Sequence, residues 1–217
     1  MPHNVKVLLP SPAEPRIEHL RCQDEGADQR IVIMDADHVC RPRAEALIRE
    51  VYRERYQADI RGWMPFLAAR GDRHGMQAAA GFRPASDALY LEQYLDQPVE
   101  ATIANHTGRA PARDKIVEVG HLASRRGGAG AILLLDLADH LHRSGFDWLV
   151  NTATADTRRL ILGLRAAPLA LAAADPARLP DGGTAWGRYY DHQPVVLAIH
   201  LPSALGRRKR NTPLALA

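Results

Sequence analysis

Cysteine and long apolar runs are both scarce in this sequence. Only two of the 217 residues are cysteines, Cys22 and Cys40, and their spacing predicts neither a zinc site nor a disulfide framework. No apolar run approaches the roughly 18 residues of a membrane-spanning helix. The opening residues also lack the basic and then apolar pattern of a secretory signal. We therefore expect a cytoplasmic protein with no transmembrane segment and no metal site.

A large excess of charge of one sign is also absent. Lysine and arginine together number 28, against 25 aspartates and glutamates, which gives a formal net charge of +3. This balance suits a phosphate-bearing ligand and does not indicate a nucleic-acid partner. Hydrophobic residues make up 46% of the chain, which is enough to form an ordinary folded core.

Strand-like and helix-like patterns alternate along the chain. Apolar, β-branched runs predict strands, and apolar residues at helical spacing predict helices. The predicted strands are 30–36, 74–83, 114–124, 147–154 and 194–201. The predicted helices are one that opens at Pro42, one or two within 88–108 interrupted at Pro98, one at 130–144, and a short one capped by Asp156. This alternation predicts one α/β domain over 29–202, after a loose leader at 1–28 and before a basic tail at 203–217.

Residues 117–130, VEVGHLASRRGGAG, place a predicted strand, a loop of arginines and glycines and a helix N-terminus in succession. Bare backbone N–H groups and the helix dipole favour a bound anion at such a place. The stretch lacks both the G-x-G-x-x-G of dinucleotide-binding loops and the Gly-Lys-Ser/Thr of Walker loops. Its Arg125-x-x-Gly128-x-Gly130 spacing is similar to the acyl-CoA loop of N-acetyltransferases, and an ordinary glycine-rich turn is the alternative. The residues expected to bind the phosphate-bearing ligand are Leu122, Arg125, Arg126, Gly127, Gly128, Ala129 and Gly130.

Glu118 is a single carboxylate in the apolar strand that leads into this loop. A carboxylate in a strand covered on both faces is costly unless it is paired or protonated, so its pKa tends to rise. A raised pKa suits a general base that takes a proton from an amine. The alternative is a structural glutamate paired with one of the many arginines.

Five blocks carry a family resemblance: LYLEQYLDQPVE (89–100), IVEVGHLAS (116–124), WLVNTATADTRRLILGL (148–164), LALAAADPARL (169–179) and WGRYYDHQPVV (186–196). Over about 30–202 the chain resembles the thermostable hemolysin family of bacterial proteins. That family in turn resembles N-acetyltransferases and acyl-homoserine-lactone synthases. The chain departs from the family at His121, where asparagine is common.

The resemblance implies a single-domain α/β fold of the N-acetyltransferase type, with a mixed central sheet and flanking helices. It implies transfer of an acyl group from acyl-CoA or acyl carrier protein to an amine, with acyl-CoA or acyl-phosphopantetheine as the donor and no metal. The acceptor would be a small-molecule or lipid-like substrate. Strands 114–124 and 147–154 should then lie side by side, parallel and splayed at their C-terminal ends.

Site residues follow from the same resemblance. Glu118 would be the base and Tyr189 the acid that protonates the departing thiolate, although a tyrosine there can also anchor its turn. The residues expected to contact substrate are Arg83, Glu92, His121, Thr152 and Thr154, of which Glu92 suits a packing role equally well. The alternative function is a membrane-acting hemolysin-type toxin, for which the sequence offers no spanning or strongly amphipathic basic segment.

Overall fold

The fold is a seven-stranded mixed sheet with helices on both faces. A computed structural model describes residues 31–72 and 75–211 of the chain. The strand order is β1-β2-β3-β4-β5-β7-β6. Strands β4 and β5 form a parallel pair, whereas the pairs β1–β2, β2–β3, β3–β4, β5–β7 and β6–β7 are antiparallel.

The strands are β1 (Val32–Met34), β2 (Phe66–Asp72), β3 (Gly75–Pro84), β4 (Ile116–Ser124), β5 (Trp148–Ala153), β6 (Leu169–Ala173) and β7 (Val195–His200). The helices are α1 (Arg41–Tyr56), α2 (Val99–Thr107), α3 (Ala129–Arg143), α4 (Ala155–Gly163) and α5 (Leu201–Asn211). A short 3₁₀ helix, Tyr90–Tyr94, precedes α2, and others lie within 176–192.

Each face of the sheet is covered by its own helices. Helices α1 and α2 pack on one face, where α1 buries a stripe of apolar residues at helical spacing. Helices α3, α4 and α5 pack on the other face, where α3 buries Leu133, Leu137 and Leu141 at every fourth position. The middle of β3 is Ala78–Ala80, and all three alanines are fully buried. Because alanine is small, helices can approach both faces closely at this strand.

Strand β4 departs from regular pairing at two places. Its pairing with β5 covers only three residue pairs and ends at Glu118↔Val150. Its pairing with β3 shifts register between Gly81↔Gly120 and Ala79↔Ala123, which marks a β-bulge. His121 lies in the bulge with φ +53. The predicted arrangement of β4 and β5, adjacent, parallel and open at their C-terminal ends, is confirmed.

The structure adds elements that the sequence patterns did not predict. Strands β2 and β6 were not predicted, and both contain alanine at several positions. Helix α4 is capped by Thr154, whose side chain accepts a hydrogen bond from the Thr157 N–H, so the prediction that Asp156 is the cap is wrong. Residues 201–211 form α5, and Ala204 packs against the core, so part of the predicted basic tail is ordered helix. The predicted leader at 1–28 lies outside the described residues.

Cys40 lies directly before α1 and is buried. It is disulfide-bonded, a bond that the spacing of the two cysteines did not predict. Among the residues that the structure describes, no helix combines the length and the apolar character needed to cross a bilayer.

Candidate active site

A cavity of about 440 Å³ opens on the face of the sheet that carries α1 and α2. Its floor is β4 from Glu118 to His121, together with Arg83 of β3 and Thr152 of β5. Its walls come from α1, from the connection 59–64 between α1 and β2, and from the segments 90–94 and 180–189. Five predicted site residues therefore line one cavity: Arg83, Glu118, His121, Thr152 and Tyr189.

Six tyrosine and tryptophan side chains line the cavity: Tyr52, Trp63, Tyr90, Tyr94, Trp186 and Tyr189. Trp186 contacts Tyr90, with ring centroids 5.7 Å apart, and its indole N–H donates to the Tyr90 hydroxyl at 2.8 Å. The ring of His121 stacks on Trp186 and meets Trp63 edge to face. Aromatic walls of this kind suit ligands with an apolar or planar part.

Gly187 positions the Trp186 wall against α1. Its φ is +53, and a Cβ at this position would lie 2.3 Å from the Tyr56 carbonyl oxygen. The backbone there is fixed by the Arg188 N–H, which donates to the Tyr56 carbonyl oxygen at 2.6 Å, and by the Asp59 N–H, which donates to the Ala185 carbonyl oxygen at 2.8 Å. Glycine is the residue that accepts this φ and this close approach.

Glu118 is 3% exposed and is held from two sides. Its carboxylate accepts hydrogen bonds from the Tyr90 N–H at 2.9 Å and the Leu91 N–H at 3.0 Å, at the start of the 3₁₀ helix. Arg83, directly opposite on β3, lies with Nε 3.5 Å from Oε2. Burial raises the pKa of the Glu118 carboxyl, and these two hydrogen bonds and the Arg83 charge oppose that rise. Glu118 thus both borders the cavity and anchors the segment that forms one of its walls.

Three polar atoms at the cavity floor have no hydrogen-bond partner among the described residues. They are Nε of Arg83, which lies 3.5 Å from Oε2 of Glu118, Nδ1 of His121 and Oγ1 of Thr152, and all three are buried. Burial, aided by the charge of Arg83, lowers the pKa of His121 to about 4, so its imidazole is neutral at neutral pH. Buried polar atoms normally have hydrogen-bond partners. Unpartnered atoms beside one cavity can form hydrogen bonds with a bound ligand or with water.

A second, narrower cleft lies on the opposite face of the sheet, between β4, β5, α3, α4 and α5. Its lining is apolar except for Asn151 and Arg208, and the Asn151 Oδ1 is buried without a partner among the described residues. Val119 lines both this cleft and the cavity. The two spaces therefore approach each other at the point where β4 and β5 stop pairing.

The predicted phosphate loop lies beyond the end of β4 and leads into α3. Gly128 precedes the helix with φ +86, a value that glycine adopts without strain. The Ala129 N–H donates to the Arg126 carbonyl oxygen at 3.3 Å, whereas the next N–H groups of the first helical turn lack partners within the helix and can receive an anion. Arg125 and Arg126 are exposed and pair with Glu50 and Asp72. The loop thus has the backbone geometry of an anion site, with its two arginines held by acidic neighbours.

Several predicted residues lie elsewhere or are engaged. Glu92 does not line the cavity: it pairs with Arg113 through both oxygens and accepts a hydrogen bond from the Val99 N–H. Thr154 is buried as the cap of α4. Leu122 packs with the core on the α3 face. These three positions place the residues in structural roles.

Tyr189 is buried, and its hydroxyl donates to the Thr152 carbonyl oxygen at 3.0 Å. Burial raises its pKa well above 10. The hydroxyl proton is therefore engaged in a hydrogen bond to the backbone at the cavity wall. This favours a role for Tyr189 in anchoring its turn over a role as an acid.

Sequence reasoning did not single out Trp63, Met64, Tyr90 or Asn151 as site residues. Trp63 and Met64 lie in an irregular connection with no periodic pattern, and Asn151 lies in a strand whose other buried residues are apolar. The one available signal was Asn151 itself, because a lone amide in a strand buried on both faces needs a partner.

The sheet order, the opening between two parallel strands and the loop at the helix start define an α/β protein of the N-acetyltransferase type. The model of the thermostable hemolysin family matches residues 34–205. The chain belongs to that family, and the resemblance drawn from its sequence is confirmed. A comparison with curated proteins finds no match.

Solved structures similar to this chain include three of related kinds. TofI, in a complex with an inhibitor and MTA, gives a TM-score of 0.55 at 14% identity, with 82% of this chain and 96% of that chain covered. MesI, a CoA-dependent acyl-homoserine lactone synthase, gives 0.53 at 15% identity over 87% and 97%. FeeM, an N-acyl amino acid synthase from uncultured soil microbes, gives 0.54 at 13% identity over 81% and 98%. At these identities the similarity shows the fold alone, and the predicted fold class is confirmed.

Proposed function

We propose that the protein is an acyltransferase that moves an acyl group from a thioester donor to an amine. The observation that carries the proposal is the end of β4–β5 pairing at Glu118↔Val150. This opening lies between an apolar cleft on the face that carries α3 and an aromatic cavity on the other face. A long, thin donor arm suits the opening, and the cavity suits the acceptor.

The residues present fit the phosphopantetheine arm that acyl-CoA and acyl carrier protein share. The N–H groups at the start of α3, with Arg125 and Arg126, would hold the phosphate. The arm carries amide N–H groups, and the buried Asn151 Oδ1 offers them an acceptor inside the apolar cleft. The names of MesI and FeeM, both synthases of acylated products, agree with this proposal.

The chemistry then takes place at the cavity floor. The acceptor nitrogen attacks the thioester carbonyl carbon, a C–N bond forms, the C–S bond breaks and the sulfur leaves as a thiolate. Backbone N–H groups at the bulge, Gly120 to Leu122, would stabilise the developing oxyanion. Glu118 would take the proton of the amine, through water, with lone pairs that its bonds to Tyr90 and Leu91 leave free.

His121 and Thr152 would orient the acceptor through their unpartnered atoms, beside Arg83. The predicted acid role of Tyr189 has little support, because its hydroxyl is already engaged. The acceptor is proposed to be a small-molecule or lipid-like amine. Cytoplasmic localisation stays a prediction, and the bridge at Cys40 is a bond that is rare in cytosolic proteins.

Binding of 4′-phosphopantetheine and of CoA, measured by calorimetry, tests the proposal without knowledge of the acceptor. The parent should bind both ligands. Asn151→Leu, which nearly preserves shape and removes the buried unpaired amide, should weaken binding roughly tenfold while stability is kept or raised. Leu162→Ala, at an exposed residue of α4, is the control and should bind as the parent does. Absence of binding by the parent would refute the proposal.

A further inference from the structure

A bare patch of sheet lies at the cavity floor. Gly81 on β3 and Gly120 on β4 are directly opposite each other, so neither strand carries a side chain there. Met64 lies on this patch, 4% exposed, and lines the cavity. A Cβ at Gly120 would lie 2.8 Å from the Met64 Cε, and a Cβ at Gly81 would lie 3.0 Å from its Cβ and its Sδ. The Met64 side chain therefore fills the space that two strand side chains would take.

The backbone of Met64 is fixed while its side chain is adaptable. The guanidinium of Arg41, itself buried, donates to the Met64 carbonyl oxygen at 2.8 Å and to the Pro65 carbonyl oxygen at 2.8 Å. Methionine has three rotatable side-chain bonds and a polarizable thioether, so its end can move without displacing its backbone. A ligand pressing on Met64 would thus move its terminal atoms while its backbone stays in place.

The position of Met64 along β4 links it to the donor. Gly120 follows Val119, the residue that borders both the cleft and the cavity, and lies two residues beyond the last β4–β5 pair. The Met64 methyl group therefore sits above the strand where a thioester emerging through the opening would present its carbonyl carbon. The acyl carbons follow that carbon directly and would contact Met64 there.

We propose that Met64 is the specificity-determining residue that limits the size of the acyl group accepted beside the thioester carbon. The inference rests on the proposed function. The apolar acyl group contacts the thioether end of Met64. The longest acyl group that fits is set by how far the Met64 Sδ and Cε atoms, which lie over Gly81 and Gly120, can move. Because the two glycines carry no side chains, the Met64 side chain covers the cavity floor at this point.

The test uses S-alkyl thioethers of 4′-phosphopantetheine, a stable series that needs no acceptor and no turnover. In the parent, affinity measured by calorimetry should rise about fourfold per added methylene until a limiting length is reached, and then fall. Met64→Ala lacks Cγ, Sδ and Cε, so its limiting length should be greater by about two or three carbons. Met76→Ala is the control, because Met76 packs against the α1 core outside the cavity, and its limit should equal that of the parent.

A pair of glycine variants provides a second, independent test. Gly120→Ala should displace the Met64 methyl group into the cavity and shorten the limiting length. In the Met64→Ala background the same change should have little effect, because the clashing Cε is gone. Gly81→Ala should keep part of its effect there, since its contact with the Met64 Cβ at 3.0 Å remains.

The outcomes distinguish failure of the Met64 assignment from failure of the proposed function. If the parent binds the series and Met64→Ala and Gly120→Ala leave its limiting length unchanged, Met64 does not set acyl size, and the proposed function stands. If the parent binds no member of the series, the proposed function and this inference both fail.

Discussion

Glu118 pairs with Val150, and this is the last residue pair that joins β4 to β5. From the next residue onward the two strands separate, and Val119 borders open space on both faces of the sheet. The same Glu118 carries the buried carboxylate that holds the N–H groups of Tyr90 and Leu91. The opening of the sheet and the candidate base therefore coincide at one position.

Replacing Glu118 by glutamine should lower both turnover and stability. The amide NH₂ group cannot accept a hydrogen bond, so either the Tyr90 or the Leu91 N–H loses its acceptor, at a cost of about 1–3 kcal/mol in the free energy of unfolding. Loss of a general base should reduce turnover roughly a hundredfold to ten-thousandfold. Denaturant unfolding and release of the free thiol from an acyl-CoA donor in the presence of amine measure the two effects.

The pH dependence of Glu118→Gln separates catalysis from folding. In the parent, activity should fall as pH decreases through the raised pKa of Glu118, because the protonated acid cannot act as a base. The variant should lack this acidic limb. Glu92→Gln is the matched control, since it disturbs the ion pair with Arg113 outside the cavity and should keep the limb. Turnover that falls only in proportion to the unfolded fraction would assign Glu118 a purely structural role.

The phosphate loop can be disabled without unfolding the domain. Arg125→Ala combined with Gly128→Glu removes one cation and adds an anion where a phosphate would bind, so affinity for CoA should be lost. Both positions are exposed, and the strain of a side chain at the Gly128 φ of +86 should cost about 1–3 kcal/mol. Arg143→Ala, at the far end of α3, is the control and should bind CoA normally. Equal CoA affinity in the double variant and the parent would defeat the loop assignment.

His121 should make stability depend on pH. Its pKa is lowered to about 4 in the folded protein, against about 6.5 in an unfolded chain. Between these values the unfolded chain binds a proton that the folded chain does not, so stability should fall as pH falls from 6.5 to about 4, by at most about 1.4 kcal/mol per pH unit. Glu118, whose pKa is raised, contributes a slope of opposite sign, so the parent is compared with His121→Asn at each pH. Identical slopes, or an imidazole NMR titration near 6.5, would contradict this assignment.

The toxin alternative predicts direct lysis of membranes. Purified, lipid-free protein should leave erythrocytes intact if the protein is an acyltransferase. Lipid extracts of cells that make the parent protein should then be compared with extracts of cells that make Glu118→Gln. If an acylated product causes the lysis, only the extract of cells that make the parent protein should lyse erythrocytes. Lysis by the pure protein would favour the toxin.

The sequence predicted the centre of the fold better than its edges. Strand β4, helix α3 and strand β5 each have a continuous apolar pattern, and the structure places them close to the predicted bounds. Strands β2 and β6 were missed because alanine-rich runs such as LALAA show neither β-branched residues nor clear alternation. These strands are fixed by pairing with β3 and β7, which a local pattern does not reveal.

The candidate site also has parts that the sequence predicted and parts that it did not. Glu118 and the loop stand out locally, as a carboxylate in an apolar run and as arginines beside glycines. The contact of Met64 with Gly81 and Gly120 joins positions that are far apart in the chain. Met64 lies in an irregular connection, and the two glycines lie in two different strands. Likewise, nothing local indicates that the Tyr90 and Leu91 N–H groups meet Glu118.

A crystal structure with an S-alkyl thioether of CoA would show whether a phosphopantetheine arm passes between β4 and β5. We expect the phosphate on the N–H groups at the start of α3, an arm amide bonded to the Asn151 Oδ1, and the sulfur beside Gly120 below Met64. A ligand bound anywhere else on the protein, with the opening between β4 and β5 left empty, would overturn the proposed function.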